Sequence, residues 1–266
     1  MIGVLEMQRY SVIKDKNPRE IVLLRGCGCR YKRCAFCDYH DDASANETEN
    51  LQINKQALDS VTGEYGVLEV INSGSFCELE DSTLRLVEEV CEAKSIGTVH
   101  FECHWLYRHY VPALRERFAK IGVVLKIKTG VETFDADYRE HVMLKGIRET
   151  SPERLSEGFD ECCLLFGLPE QTVESMIADV ETGLRYFSRV CVNIMVENSA
   201  PLKPDLAVRE LFIKEVYPKY KDKWSVMAKT DGTLIDDNGR EYYALYWDEK
   251  KVHKIDFSEG FYVEKE

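Results

Sequence analysis

At 266 residues with 44 % hydrophobic positions, the chain buries a sizeable core and fits one large α/β domain or two small ones. No apolar run approaches the roughly 20 residues that span a membrane. Met1 to Tyr10 also lacks the basic and apolar regions of a signal peptide, so the expected location is the cytoplasm with no membrane partner. The net charge of −12, from 47 acidic and 35 basic residues, opposes the broad phosphate-binding surface that governs affinity for long nucleic acids, and fits a small substrate.

From Glu20 onward, short β-branched runs alternate with amphipathic stretches, the pattern of repeated βαβ units in a parallel sheet. Strands are expected at residues 20–26, 67–73, 98–103, 123–130, 159–167 and 190–196. The helices that follow them are expected at 54–61, 82–93, 107–121, 136–144, 172–187 and 205–220. Asp81 or Ser82 is expected to cap the second helix and Thr172 the fifth, each with acidic residues in the first turn, where the helix dipole favours them.

Six such units stop short of an eight-fold barrel, so the expected fold is α/β, a partial (βα)6 TIM-like barrel. From Trp224 the pattern changes to alternating polar and aromatic residues, with Asp237-Asn238-Gly239 as a hairpin turn. Residues 1–223 therefore read as the core with an N-terminal extension, and 224–266 as a small C-terminal β appendage packed on it. Its Tyr242, Tyr243, Tyr246 and Trp247 are placed to close an open side or bottom of the barrel.

In parallel βα architectures ligands bind at the carboxyl ends of the strands. Those ends are polar or small here: Asn72 to Ser75, Glu102 to His104, Thr129 to Glu132, Gly167 to Glu170 and Asn193 to Asn198. After the first strand comes LRGCGCRYKRCAFCDYHDD, residues 24–42, with four of the chain's ten cysteines. In a reducing compartment cysteines are buried or metal-binding rather than paired, and Cys91, Cys162, Cys163 and Cys191 read as small core hydrophobes.

Cys34 and Cys37 are spaced to turn onto one centre, and Cys29 reaches it from five positions earlier. Three soft thiolates select zinc or an iron-sulfur cluster. With His40 as a fourth ligand the site is a structural zinc knuckle. With three thiolates alone it is a 4Fe-4S cluster whose fourth iron is open to an exogenous ligand.

The arrangement resembles the radical S-adenosylmethionine (SAM) superfamily, with three cluster cysteines after the first strand of a partial barrel and an aromatic residue before the third. The usual spacing is CxxxCxxC, and this chain has one residue more if Cys29 is the first ligand, or three more if Cys27 is. The branch that includes the elongator catalytic subunit and the archaeosine-forming enzymes reads C-x4-C-x-F-C-D-Y. Cys29, Cys34, Phe36, Cys37, Asp38 and Tyr39 match it, which favours Cys29 and leaves Cys27 as a packed thiol at the strand end. Asn72-Ser73-Gly74-Ser75-Phe76, Glu102-Cys103-His104, Gly130-Val131-Glu132-Thr133, Lys145-Gly146 and Gly167-Leu168-Pro169 resemble that branch as well.

The resemblance implies that Cys29, Cys34 and Cys37 bind three irons while the amino and carboxylate groups of SAM chelate the fourth. By the same resemblance Phe36 packs near the adenine, Asn72, Ser73 and Ser75 bond the amino-acid end, Glu102 takes the ribose hydroxyls and Glu132 the ammonium. The electron comes from a donor such as flavodoxin or ferredoxin. His104 and His40 are candidate acid–base groups, because imidazole titrates near neutral pH.

Over its whole length the pattern looks most like the compact queuine lyases of gut clostridia. That implies cleavage of the N-glycosidic bond of queuosine 5'-phosphate to release queuine, a step of queuosine salvage, with Asn193, Glu197 and Asn198 as candidates for reading the base edge. Two alternatives stand beside it: a radical SAM enzyme acting on a 7-deazaguanine or other base within tRNA, and a non-catalytic zinc-binding module.

Overall fold

The computed structural model describes residues 9–14, 17–39, 42–220, 233–235, 241–245, 253–254 and 261–264. The strands are β1 Tyr10–Ile13, β2 Arg19–Leu24, β3 Val67–Asn72, β4 Thr98–Glu102, β5 Val124–Glu132, β6 Glu161–Phe166, β7 Arg189–Ile194, β8 Thr233–Ile235, β9 Glu241–Leu245, β10 His253–Lys254 and β11 Phe261–Glu264. β2 to β7 pair in parallel in chain order, as the βαβ pattern predicts. β1 and β11 add antiparallel edges, completing an eight-stranded sheet. β8, β9 and β10 form a separate three-stranded sheet, so the last strand of the chain's C-terminal segment belongs to the barrel sheet.

The helices are α1 Glu47–Asp59, α2 Asp81–Lys94, α3 Val111–Ala119, α4 Ala136–His141, α5 Pro152–Ser156, α6 Val173–Tyr186, α7 Leu206–Leu211 and α8 Tyr217–Tyr220. Alternate strand residues face opposite sides of the sheet. Val22, Val70, Phe101, Ile127, Leu164 and Val192 face outward and pack on Val87, Leu114, Phe118, Met176 and Val180 of the helices. Ile21, Leu23, Ile71, Cys163 and Cys191 form a second cluster on the inner face. All four cysteines expected in the core, Cys91, Cys162, Cys163 and Cys191, are buried.

The inner face is not wholly apolar. Glu69 pairs with Arg19 at 2.5 Å and with Lys128 at 2.6 Å. Glu161 pairs with Arg189 at 2.5 Å and His100 at 3.0 Å. One charge or imidazole on each of six adjacent strands thus forms a buried network on one parity, which keeps each charge partnered in a low-dielectric interior. Nothing in apolar periodicity foretells this pairing, since each residue looks like an isolated polar interruption of a strand.

Several element ends differ from the expectations. α1 begins seven residues early at Glu47, where Asn46 accepts from Glu49 N at 3.3 Å. This helix turns polar side chains inward: Asn54 bonds both main-chain groups of Arg25 at 2.7 Å and Asn50 donates to Glu80 at 2.9 Å, so its apolar period is weak. Neither Asp81 nor Ser82 caps α2. Glu80 is at the cap position but its side chain makes no capping bond to the helix, Asp81 pairs with Arg117 at 2.5 Å, and Ser82 donates to Glu47 at 2.8 Å.

Thr172 caps α6 as expected, accepting from Ser175 N at 3.1 Å. The third helix opens as a 3-10 turn, Trp105–Tyr110, before α3, and the last is divided by a π-helical turn, Phe212–Val216. The turn Asp237-Asn238-Gly239, and Tyr246 and Trp247, lie outside the described residues, while Tyr242 and Tyr243 fall in β9. Among the described residues, no helix is long and apolar enough to cross a membrane.

Candidate functional site

The cysteine loop leaves β2 at its C-terminal end and is tied down turn by turn. Cys29 N donates to Ser73 O at 3.0 Å, Ala35 N to Met143 O at 2.9 Å, and Leu202 N to Ala35 O at 2.8 Å. Tyr31 Oη donates to Leu144 O at 2.7 Å and Asn198 Nδ2 to Phe36 O at 2.8 Å. The loop therefore rests on the turn after β3, the turn after α4 and the segment after β7, three places that the fold brings to one rim. Gly146 shows how close the approach is: at φ +74°, a Cβ there would lie 2.3 Å from Tyr31 Oη.

Cys29, Cys34 and Cys37 are half-buried, whereas Cys27 is exposed. The expectation that Cys27 packs at the strand end is therefore corrected: its Sγ points out of the core and donates to Glu78 O at 3.2 Å. Burial pushes the thiols of Cys34 and Cys37 up, that of Cys37 to about 12, and the proximity of Cys29 adds to both while the Lys145 ammonium opposes the rise. The three thiols are thus near enough to feel one another's charge, with the Lys145 cation acting on Cys34 and Cys37, and three soft donors of this kind suit an electron-rich cluster. Among the described residues, no three His, Cys, Asp or Glu side chains converge tightly enough for one metal ion. A four-iron cluster asks instead for one thiolate on each of three irons. His40 lies outside the described residues.

The polar rim residues lie around this loop. Asn72 donates to Ser75 O at 3.1 Å, and its Oδ1 is buried without a hydrogen-bond partner. Ser73 donates to Asp42 O at 2.5 Å, and Ser75 Oγ accepts from His104 N at 2.9 Å. Glu102 pairs with Lys128 at 3.1 Å at the end of β4. Glu132 pairs with Lys145 at 2.5 Å. Phe36 packs with Met143, Leu165, Leu168 and Met195, with Lys145 Nζ 5.4 Å from its ring centroid.

His104 has both ring nitrogens engaged by the backbone: Nδ1 accepts from Leu106 N at 3.2 Å and Nε2 lies 3.1 Å from Lys145 O. That pattern assigns the tautomer with hydrogen on Nε2. Burial and the Lys145 charge push its pKa down to about 3, so the neutral ring holds the 3-10 turn in place. Asn193 accepts from Cys191 Sγ at 3.7 Å inside the barrel. Glu197 is paired with Lys203 at 2.9 Å on the surface. Asn198 bridges its own loop, through Ala200 N at 3.0 Å, to the cysteine loop. The structure thus gathers Cys29, Ser73, Ser75, His104, Glu132 and Phe36, and sets Glu197 apart.

Two residues of this rim carry no functional expectation from sequence. Glu78 accepts from Arg30 N at 2.5 Å and Ser75 N at 2.6 Å. Lys145 reaches beneath the cysteine loop to Glu132, and only the Lys145-Gly146 pair in the sequence hinted at it.

No protein-family model matches the sequence, and no curated protein matches it. Among solved structures, the queuine lyase from Clostridium spiroforme bound to SAM and queuine is similar, with a TM-score of 0.76 and 40 % identity over 81 % of this chain and 93 % of that one. Streptococcus suis SuiB is similar in fold alone, with a TM-score of 0.50 and 15 % identity over 74 % of this chain and 46 % of that one.

Proposed function

The chain belongs to the queuine lyase family of the radical SAM superfamily, and on that premise we propose that it cleaves the N-glycosidic bond of queuosine 5'-phosphate and releases queuine. The observation that carries the reading is the 40 % identity, over 81 % of this chain and 93 % of the other, to a lyase bound to SAM and queuine. The donor set of Cys29, Cys34 and Cys37 fits a 4Fe-4S cluster with one iron left for SAM. When bound, cluster and SAM supply one-electron cleavage of SAM and a 5'-deoxyadenosyl radical that takes a hydrogen atom from the substrate.

The chain's own residues position and shield that chemistry. Lys145 sets a positive charge near Cys34 and Cys37, and its pairing with Glu132 keeps it there. Ser73 and Ser75, with the unpartnered Oδ1 of Asn72, present hydrogen-bonding groups for the amino-acid end of SAM. In this reading Glu102 takes the ribose hydroxyls and Phe36 the adenine.

Ile21, Leu23, Ile71, Cys163 and Cys191 wall the inner face against water, which protects a reactive radical. Asn193, on that face, is the group for the base edge, and Asn198 holds the loop that frames it. Exposed Arg30, Lys32 and Arg33 give the cysteine loop a basic face on an acidic chain, suited to an acidic electron-donor protein such as a flavodoxin or ferredoxin.

Anaerobic incubation with SAM, dithionite and, in turn, queuosine 5'-phosphate, queuosine and queuosine-containing tRNA tests the proposal by mass spectrometry. Free queuine together with 5'-deoxyadenosine from the nucleotide is the expected result. Turnover on intact tRNA alone would overturn it.

A further inference from the structure

One carboxylate joins the two loops that a cluster and its SAM need in register. Glu78 ends the 3-10 turn Phe76–Glu78 that follows β3 and is 1 % exposed. Its Oε1 accepts from Arg30 N at 2.5 Å and its Oε2 from Ser75 N at 2.6 Å. Its main-chain carbonyl accepts from Cys27 N and Cys27 Sγ, both at 3.2 Å. A single residue thus grips the chain on both sides of Cys29 and holds the Ser73–Ser75 turn as well.

The junction has no slack. A Cβ at Gly74 would lie 2.2 Å from Glu78 Oε2 and 3.1 Å from Cys29 N, so the turn, the carboxylate and the cysteine loop meet only because position 74 carries no side chain. Bonds from backbone N–H to a buried carboxylate are strong and directional. An ordinary cap would satisfy one turn, whereas here the two oxygens serve two different loops.

We propose that Glu78 is a positioning residue for the reaction, setting the spacing between the metal-binding loop at Cys29 and the turn that receives the amino-acid end of SAM. The inference rests on the radical SAM reading of this site. Replacing the carboxylate by an amide turns one acceptor into a donor that faces an N–H, so one of the two loops is released. All three cysteines remain, so the cluster still assembles, but SAM meets it out of register.

The test uses the reconstituted protein and the variants Glu78→Gln, Glu78→Asp, whose shorter arm cannot reach both donors, and Gly74→Ala. Iron and sulfide content, the electron paramagnetic resonance spectrum of the reduced cluster with and without SAM, and KM and kcat are measured on each. The expected result is wild-type iron content, a diminished SAM-dependent change in the spectrum, and kcat/KM for SAM lowered about tenfold or more.

Variants with wild-type spectra and kcat/KM would overturn the inference, and so would activity that falls only in step with lost iron, because Glu78 would then be structural. Should Glu78→Gln fail to fold, Glu78→Asp and Gly74→Ala carry the same expectation. A wild-type protein whose spectrum ignores SAM would overturn the radical SAM reading itself, whereas a responsive wild type with unaltered variants sinks only the role of Glu78.

Discussion

Lys145 and Glu132 form a buried ion pair directly beside the cysteine loop, with Nζ and Oε1 2.5 Å apart and side chains 9 % and 8 % exposed. Burial alone would lower the lysine pKa, but Glu132 and the neighbouring thiols raise it, so the ammonium stays charged. Removing one partner of such a pair leaves an uncompensated charge in the interior. Lys145→Met is therefore expected to cost the apoprotein about 3–5 kcal/mol in chemical denaturation, and adding Glu132→Gln should restore part of the loss. Equal denaturation midpoints for wild type and Lys145→Met would show that the pair contributes nothing.

The charges within the barrel make stability depend on acid. Burial would raise the pKa of Glu161, yet the hydrogen bond from His100 and the charges of Arg189 and Lys128 outweigh it and hold the carboxyl at about 2. A depressed carboxylate contributes stability above its ordinary value and loses it as pH falls through the folded one. The contribution, about 3 kcal/mol, should fade between about pH 4.5 and pH 2. Glu161→Gln is expected to be less stable than wild type at pH 7 and to approach it near pH 3, and a gap that stays constant with pH would refute the assignment.

Asp179 behaves in the opposite sense. Burial raises its pKa to about 7, with Asp135 adding to the rise, even though Phe134 N donates to Oδ1 at 2.7 Å. Its neutral form suits the fold, so stability falls as pH rises from about 4 to 7. Asp179→Asn keeps the acceptor for Phe134 and removes the charge, and should raise stability at pH 8 by at most about 4 kcal/mol and much less near pH 4. Thermal midpoints at the two pH values give the answer directly, and a variant less stable than wild type at pH 8 contradicts it.

The cysteine loop makes a prediction about ligand choice. Cys27 is exposed, and its main chain and Sγ are held by Glu78 O, while Cys29 is held over Ser73 O and is near Cys34 and Cys37. Anaerobic reconstitution should give Cys27→Ala the iron content of wild type and leave Cys29→Ala, Cys34→Ala and Cys37→Ala without a stable cluster. Loss of iron from Cys27→Ala with retention by Cys29→Ala would transfer the first ligand position to Cys27.

Much of the fold was legible because it rests on local periodicity. The six parallel strands and the cap at Thr172 follow from alternation and capping rules. α1 was half-hidden because its inward positions are Asn50 and Asn54, polar side chains that bond the neighbouring strand end and helix rather than joining an apolar stripe. β1, a short edge strand, offers too few residues for a pattern. At the site, the spacing of Cys29, Cys34 and Cys37 and the polar strand ends located the rim. Asn198 and His104 turned out to spend their polar atoms on the backbone, which spacing does not reveal.

By itself, then, the sequence determined which chemistry the first loop offers and that it opens at the carboxyl end of a parallel strand, because ligand type, spacing and strand periodicity are local properties. Only the tertiary structure decided what each polar group is bound to. Glu78 lies 48 residues from Arg30, and Lys128 lies 59 from Glu69. Such pairings arise when six strands curl and bring remote side chains into one low-dielectric space, where a charge must find a partner and the partner is chosen by geometry rather than by distance along the chain.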